Sequence, residues 1–468
     1  MQSFLFIILL SFNMLAAQIE SIKHCIQAGE LKNAILMSDS IAGTVSKNSK
    51  TFQVADSLKQ IALRTYIDFS VDEINMEAQL AKRIGSYTQA QKTDWEKLNW
   101  LEYKIIDGQK KYFNRAAGNL KLRLKQQTDS ANSHSESLDA FSKFKVSYLT
   151  QLLTVQRADS KPCAPQNYEI SYTITLQPNV VPHGETIRCW MPWPKENHSR
   201  QADVKFISCN ASTYQIAATK NAHRSIYIEQ KTMNDKPTVF SISFSYTAFA
   251  QNFYECDMVA LPYKKSSVLY KTYTREQQPH ITFNSKIQKL TDELVGNEQN
   301  PLKVVAIIYD YICQHTIWSG AQEYSILECI PNYVLDNRKG DCGMQTFLFM
   351  SMARYKGIPV RWHSGWMMHP HEVNLHDWCE VYYEGTGWVP LDMSFQYMPS
   401  ADKRIKNFYL TGIDAYRMIV NDDIAAKFQP RKKYFRSEPY DFQRGELEWR
   451  GGNIYFDKWD YHMDVVYK

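Results

Sequence analysis

No two cysteines in this 468-residue chain stand at CxxC spacing, which excludes a zinc ribbon and a thioredoxin-type redox motif. No proline occurs before Pro162, and all 17 lie from there onward. Because proline breaks helix interiors, the first 161 residues are predicted to be the helical part of the chain. An excess of one charge is also missing. Lys+Arg 54 against Asp+Glu 49 leaves +5, too little to suggest a nucleic-acid partner. No apolar run reaches the roughly 20 residues that cross a bilayer. Hydrophobic residues at 44% and charged residues at 22% are the balance of a folded soluble chain and exclude wholesale disorder.

At about 150 residues per domain, the length accommodates roughly three domains. The apolar run Phe4-Leu-Phe-Ile-Ile-Leu-Leu10, followed by Ala16-Ala17 and Gln18, reads as a secretory signal peptide over 1–17. Its n-region carries no Lys or Arg. The expectation is cleavage near Ala17 and export to the periplasm or outside the cell, with no membrane span in the mature chain. Export permits disulfides, but nine cysteines is an odd number and leaves at least one thiol unpaired within the chain.

Residues 19–160 are predicted to form an all-helical domain of antiparallel hairpins. Ser70-Val-Asp-Glu73 and Thr93-Asp-Trp-Glu96 read as capping boxes, and Trp95, Leu98, Ile105, Tyr112, Phe113 and Leu120 mostly recur at helical spacing. From 165 the period becomes two. Tyr168, Ile170, Tyr172, Ile174 and Leu176 alternate with polar residues, as do Phe240, Ile242, Phe244 and Tyr246. Residues 165–262 are therefore assigned to a β-sandwich. The stretch 401–468 is rich in Tyr and Trp and is expected to pack on the preceding domain, with a hairpin at Gly451-Gly-Asn.

The chemistry concentrates between Asn300 and Phe395. Asn300-Pro301 opens a helix in cap-then-proline order. A second helix is expected to end near Asp336. Next comes Arg338-Lys-Gly-Asp-Cys342-Gly, then a helix with Met344, Phe347, Leu348 and Met352 on a buried face and Gly357 as its stop. Cys342 sits at the helix start, where the dipole favours thiolate over thiol. Strands over 360–366, 376–383 and 387–392 follow, with a loop over 367–375. Adjacent strands can set His376 beside Asp392, which would fix the imidazole tautomer.

Gly-Asp-Cys342-Gly, Gly357-Ile-Pro-Val-Arg, Ser364-Gly-Trp, His376-Asp-Trp-Cys-Glu-Val-Tyr and Gly387-Trp-Val-Pro-Leu-Asp392 together resemble the transglutaminase-like superfamily. The resemblance covers about 285–397 and implies a papain-like core within 280–400. The expected fold class is α+β, this core being preceded by the helical and β-sandwich domains. The resemblance matches Cys342 to the family nucleophile, His376 to the base and Asp392 to the orienting carboxylate, with Trp378, Glu380, Gly387 and Trp388 at usual strand positions. It implies acyl transfer through a thioester on protein or peptide amides, cell-wall peptides among the candidates.

Hydrolysis is the favoured outcome. Transfer to an amine (crosslinking) is the alternative, and a binding module that has kept the fold is another. The Cys342 backbone N–H is the natural oxyanion donor. Trp318 could add a side-chain donor, although a core tryptophan is the plainer reading. His363, His369, His371, His376 and Cys379 cluster without a zinc-protease spacing, and the loop histidines are expected to face solvent. No metal and no cofactor is called for.

Overall fold

The computed structural model describes residues 2–131, 138–155, 159–254, 256 and 258–468, without the side chains of 2–14 and 128–131. The apolar side chains of the expected leader lie mostly outside this description. Among the described residues no helix is long and apolar enough to cross a membrane. The chain divides into two compact units, 1–134 with 319–327, and 135–318 with 328–468.

The first unit holds α1 (Gln2–Ala28), α2 (Leu31–Thr44), α3 (Lys50–Asp68), α4 (Glu73–Arg83), α5 (Gln89–Lys97) and α6 (Ala116–Ala131). Neither expected capping box is used. Asp72 caps α4, while Thr88 and Gln91 form the capping box of α5 and Thr93 lies inside that helix. The helical spacing expected through Ile105 and Tyr112 is also overturned. Strands β1 (Tyr103–Ile106) and β2 (Gln109–Tyr112) form a hairpin there. Asp107 and Gly108 both take positive φ, as a two-residue hairpin turn requires. Asp107 is further engaged by the Lys32 backbone N–H at 3.2 Å and by its own N–H to the Gly29 carbonyl at 2.9 Å.

Within the same unit, Asn119 makes paired hydrogen bonds to the Gly320 backbone at 2.8 and 2.9 Å. Arg64 donates to Ser325 Oγ at 2.7 Å, and Gln322 donates to Glu102 at 2.9 Å.

The second unit opens with α7 (Ala140–Val155), followed by β3 (Cys163–Leu176), β4 (Thr186–Pro192), β5 (Gln201–Cys209), β6 (Tyr214–Ile216), β7 (Ser225–Lys231) and β8 (Thr238–Asn252). Then come α8 (Val268–Tyr273), α9 (Ser285–Val295), α10 (Pro301–His315), β9 (Ile317–Trp318), α11 (Ile330–Asn337), β10 (Lys339–Gly340) and α12 (Cys342–Tyr355). Strands β11 (Val360–His369), β12 (Glu372–Tyr383) and β13 (Gly387–Leu391) follow, then β14 (Gly412–Ile413), β15 (Arg417–Asn421), β16 (Glu446–Trp449), β17 (Gly452–Ile454) and β18 (Trp459–Tyr467). Asn300 caps α10 with Pro301 in its first turn, and Gly357 takes φ +74 just beyond α12.

Three larger sheets result: β13-β12-β11-β15, β14-β8-β3-β18 with β5 added on β8, and β17-β16-β4-β7-β6. Residues beyond 401 therefore supply strands to all three sheets and are not confined to packing on one domain. The expected hairpin at Gly451-Gly452-Asn453 is formed by β16 and β17. One apolar core runs through the sandwich and the β13-β12-β11-β15 sheet alike, joining Tyr172, Trp190, Phe240 and Phe244 to Trp366, Met368 and Met418. Burying each such side chain contributes roughly 1.5–3 kcal/mol before entropy is counted.

Candidate active site

Asp341 caps α12, its carboxylate accepting from the Met344 N–H at 2.9 Å. Cys342 is the first helical residue, only 8% exposed. Strand β13 ends at Leu391, opposite Cys379 of β12. His376 and Asp377 thus run past the end of β13. Cys342 Sγ donates to Asp377 Oδ2 at 3.7 Å.

One residue away, His376 Nε2 lies 2.7 Å from Asp392 Oδ2. An ionised Asp392 can only accept, so the proton sits on Nε2 and leaves Nδ1 as the available base. The described hydrogen bonds join His376 to Asp392 and Cys342 to Asp377. None is described between Sγ and the His376 ring.

Several partners of this centre carry no mark in the motif blocks. Arg417 Nη1 donates to Asp392 Oδ2 at 2.7 Å, and its Nη2 lies 3.3 Å from Asp414 Oδ2. Ser394 adds N–H and Oγ–H bonds to Asp392 Oδ1 at 3.1 and 2.7 Å. Gln443 Nε2 donates at 2.8 Å both to the His376 carbonyl and to Asp377 Oδ1. The available signal for Arg417 is a lone charged residue opening the apolar run Arg417-Met-Ile-Val. Register explains how it arrives: β15 pairs with β11, with a bulge at Ser364/Gly365. A Cβ on Gly365 would lie 1.9 Å from the Met418 carbonyl oxygen, so only glycine lets β15 come this close.

Burial pushes the Cys342 thiol well above its ordinary value, and the Asp377 and Asp341 carboxyls push it further. Burial lowers His376, and Arg417 adds to that against the opposing pull of Asp392. Although burial alone would raise Asp392, His376 and Arg417 hold it well below the usual carboxylate range. Desolvation and the neighbouring carboxyls oppose the thiolate that the helix terminus favours.

Of the two histidines expected in a solvent-facing loop, His371 is exposed and His369 is not. β11 and β12 extend through that stretch, His363 and His369 are buried, and His369 pairs with Asp414 at 3.1 Å. Trp318 is 48% exposed and is not a core residue.

His198, His363 and Glu380 bring three donor atoms within 4.8 Å of one another, a spacing that could hold a metal. The local chemistry fits a cation poorly. Arg200 bonds Glu380 Oε1 at 3.0 Å and Arg361 bonds Oε2, so two guanidiniums already neutralise the one carboxylate. His198 Nδ1 also accepts from the Arg200 N–H at 3.2 Å, which leaves the proton on Nε2, the nitrogen facing Glu380.

The sequence profile of the transglutaminase-like superfamily matches residues 288–393. That stretch is a transglutaminase-like core domain. It contains Cys342, His376 and Asp392, while Arg417 and Gln443 lie beyond it. Among curated proteins the chain is 22% identical over 160 residues to the uncharacterised protein YebA of Bacillus subtilis, covering 28% of this chain and 22% of that one. It is 26% identical over 144 residues to an uncharacterised Haemophilus influenzae protein, covering 24% and 37% respectively. The chain thus spans only about a fifth to a third of these relatives.

Among solved structures, a candidate cysteine protease from Cytophaga hutchinsonii is similar at 15% identity and TM-score 0.43, over 65% of this chain and 91% of that one. The periplasmic domain of TgpA from Pseudomonas aeruginosa is similar at 12% identity and TM-score 0.26, over 58% and 98%.

Proposed function

We propose that this chain is an exported cysteine-dependent hydrolase of protein or peptide amides, working through a Cys342 thioester. The observation that carries the reading is the 2.7 Å His376–Asp392 bond on paired strands, one residue from the contact at Cys342 Sγ. In this scheme His376 Nδ1 takes the thiol proton as Sγ attacks the amide carbonyl. The oxyanion forms at the α12 start, where the Cys342 backbone N–H, in the first turn, is the donor. The imidazolium then protonates the departing amine, and water, deprotonated by the same nitrogen, releases the acyl group. Asp392, held anionic by Arg417, stabilises the imidazolium through both steps.

The test is a thiol-selective electrophile followed by mass spectrometry. The label should fall on Cys342, His376→Ala should slow it, and Cys342→Ala should abolish amide cleavage. Labelling no faster than that of a free thiol, and unchanged by His376→Ala, would sink the proposal. Supplying an amine tag with a glutamine-containing protein separates crosslinking from hydrolysis.

A further inference from the structure

We propose that Asp377 is a catalytic residue of this centre: its carboxyl and the Cys342 thiol form a dyad that reacts while the two groups hold one proton between them. The inference rests on the reading of Cys342 as nucleophile and deepens it.

Asp377 touches the sulfur through Oδ2 at 3.7 Å. The carboxyl cannot swing away, because Gln443 Nε2 holds Oδ1 at 2.8 Å and ties it to the His376 carbonyl. Both Cys342 and Asp377 are buried. The charged groups facing the pair are almost all acidic. Asp341 comes from the α12 cap, and Glu438 and Asp441 from the segment after β15. Asp392 acts on the sulfur from the β13 side. Arg444 donates to Glu438, with Nε–Oε1 at 2.5 Å.

Two like charges in such a site cannot form together. Burial, followed by Asp441, Asp341 and Glu438, raises Asp377 well above the carboxylate range, so the dyad rests with both protons. The thiol proton leaves for His376 Nδ1 and the sulfur becomes the nucleophile. The carboxyl keeps its own proton and donates it as a hydrogen bond to Sγ. If the carboxyl ionises instead, the sulfur retains its proton and the centre is inert.

The experiment measures alkylation of Cys342 by iodoacetamide in the full chain from pH 5 to 11. Wild type should show two separated rises, because the first ionisation is shared between the two groups. Asp377→Asn keeps the shape and an N–H donor but cannot ionise. It should give a single rise and react about tenfold faster than wild type at pH 9. Gln443→Leu, which frees the carboxyl, should narrow the gap between the two rises.

An Asp377→Asn profile that superimposes on wild type while His376→Ala still slows labelling overturns the dyad and leaves the nucleophile reading intact. Should the Asn variant lose its native circular dichroism, an unchanged Gln443→Leu profile overturns the dyad in its place. If wild-type Cys342 labels no faster than a free thiol at any pH and ignores His376→Ala, the nucleophile reading falls and takes the dyad with it.

Discussion

Arg417→Met removes one charge from a densely paired spot in the sheet that carries His376 and keeps most of the side-chain volume. The guanidinium is fully buried, bonded to Asp392 and Asp414, and lies 4.4 Å from the Phe395 ring centre and 5.3 Å from that of Trp378. Breaking a buried pair by deleting one partner costs about 3–5 kcal/mol, chiefly because the surviving charge is left without compensation. Here each surviving carboxylate keeps donors. Asp392 retains His376 and Ser394, and Asp414 retains His369, the Tyr409 hydroxyl and the Tyr416 N–H. The lower end, about 3 kcal/mol, is therefore expected, a large share of a total stability of roughly 5–15 kcal/mol.

Urea unfolding followed by tryptophan fluorescence measures it, and the Asp414→Asn variant completes a double-mutant cycle. The double variant should recover part of the loss, since one stranded charge has gone with its partner. Arg417 also helps keep His376 neutral, so its removal should move the acid limb of kcat/KM to higher pH. A loss below about 1 kcal/mol with an unmoved acid limb would refute the anchoring role given to Arg417.

Gly365→Ala should force β15 off β11 at Met418, costing more than about 2 kcal/mol and weakening activity along with stability, as read by melting and by Cys342 labelling. Glu380→Gln leaves Arg200 and Arg361 facing each other without their shared carboxylate, and should destabilise by about 3 kcal/mol. Zinc added to the wild type should not raise its melting temperature, and a clear rise would overturn the electrostatic argument made for His198 and His363. Asp392, Asp414, Glu380 and Glu446 are all held below their ordinary carboxylate values. They bind fewer protons folded than unfolded, so the stability they contribute is complete above about pH 5 and falls as pH drops through 4 toward their folded values. Urea midpoints between pH 6 and 3 should decline accordingly, and a flat profile would contradict the pairing.

What could be read from the sequence was local. Asn300-Pro301, the cysteine at a helix start, the Gly357 stop and the period-two strands each depend on neighbours a few residues away. Scattered apolar residues at helical spacing point to a helix over 103–112, where Asp107-Gly108, the stronger turn signal, closes a hairpin. Arg417, Gln443 and Asp377 were missed for a different reason. Their roles depend on strand pairings and contacts that span many residues, and a lone arginine or glutamine in an aromatic-rich tail has no periodic signature. His369 is buried where a loop would expose it because β11 and β12 extend through that stretch as a hairpin, while His371 at its tip stays exposed.

The interleaving of the last seventy residues with all three sheets also bears on the order of synthesis. Cys342, His376 and Asp392 emerge from the ribosome before Arg417, Gln443 and the strand β18 that closes against β3. A nascent chain therefore carries Cys342, His376 and Asp392 before it carries the groups that anchor them. The centre can be completed only after residues as far as Gln443 have emerged.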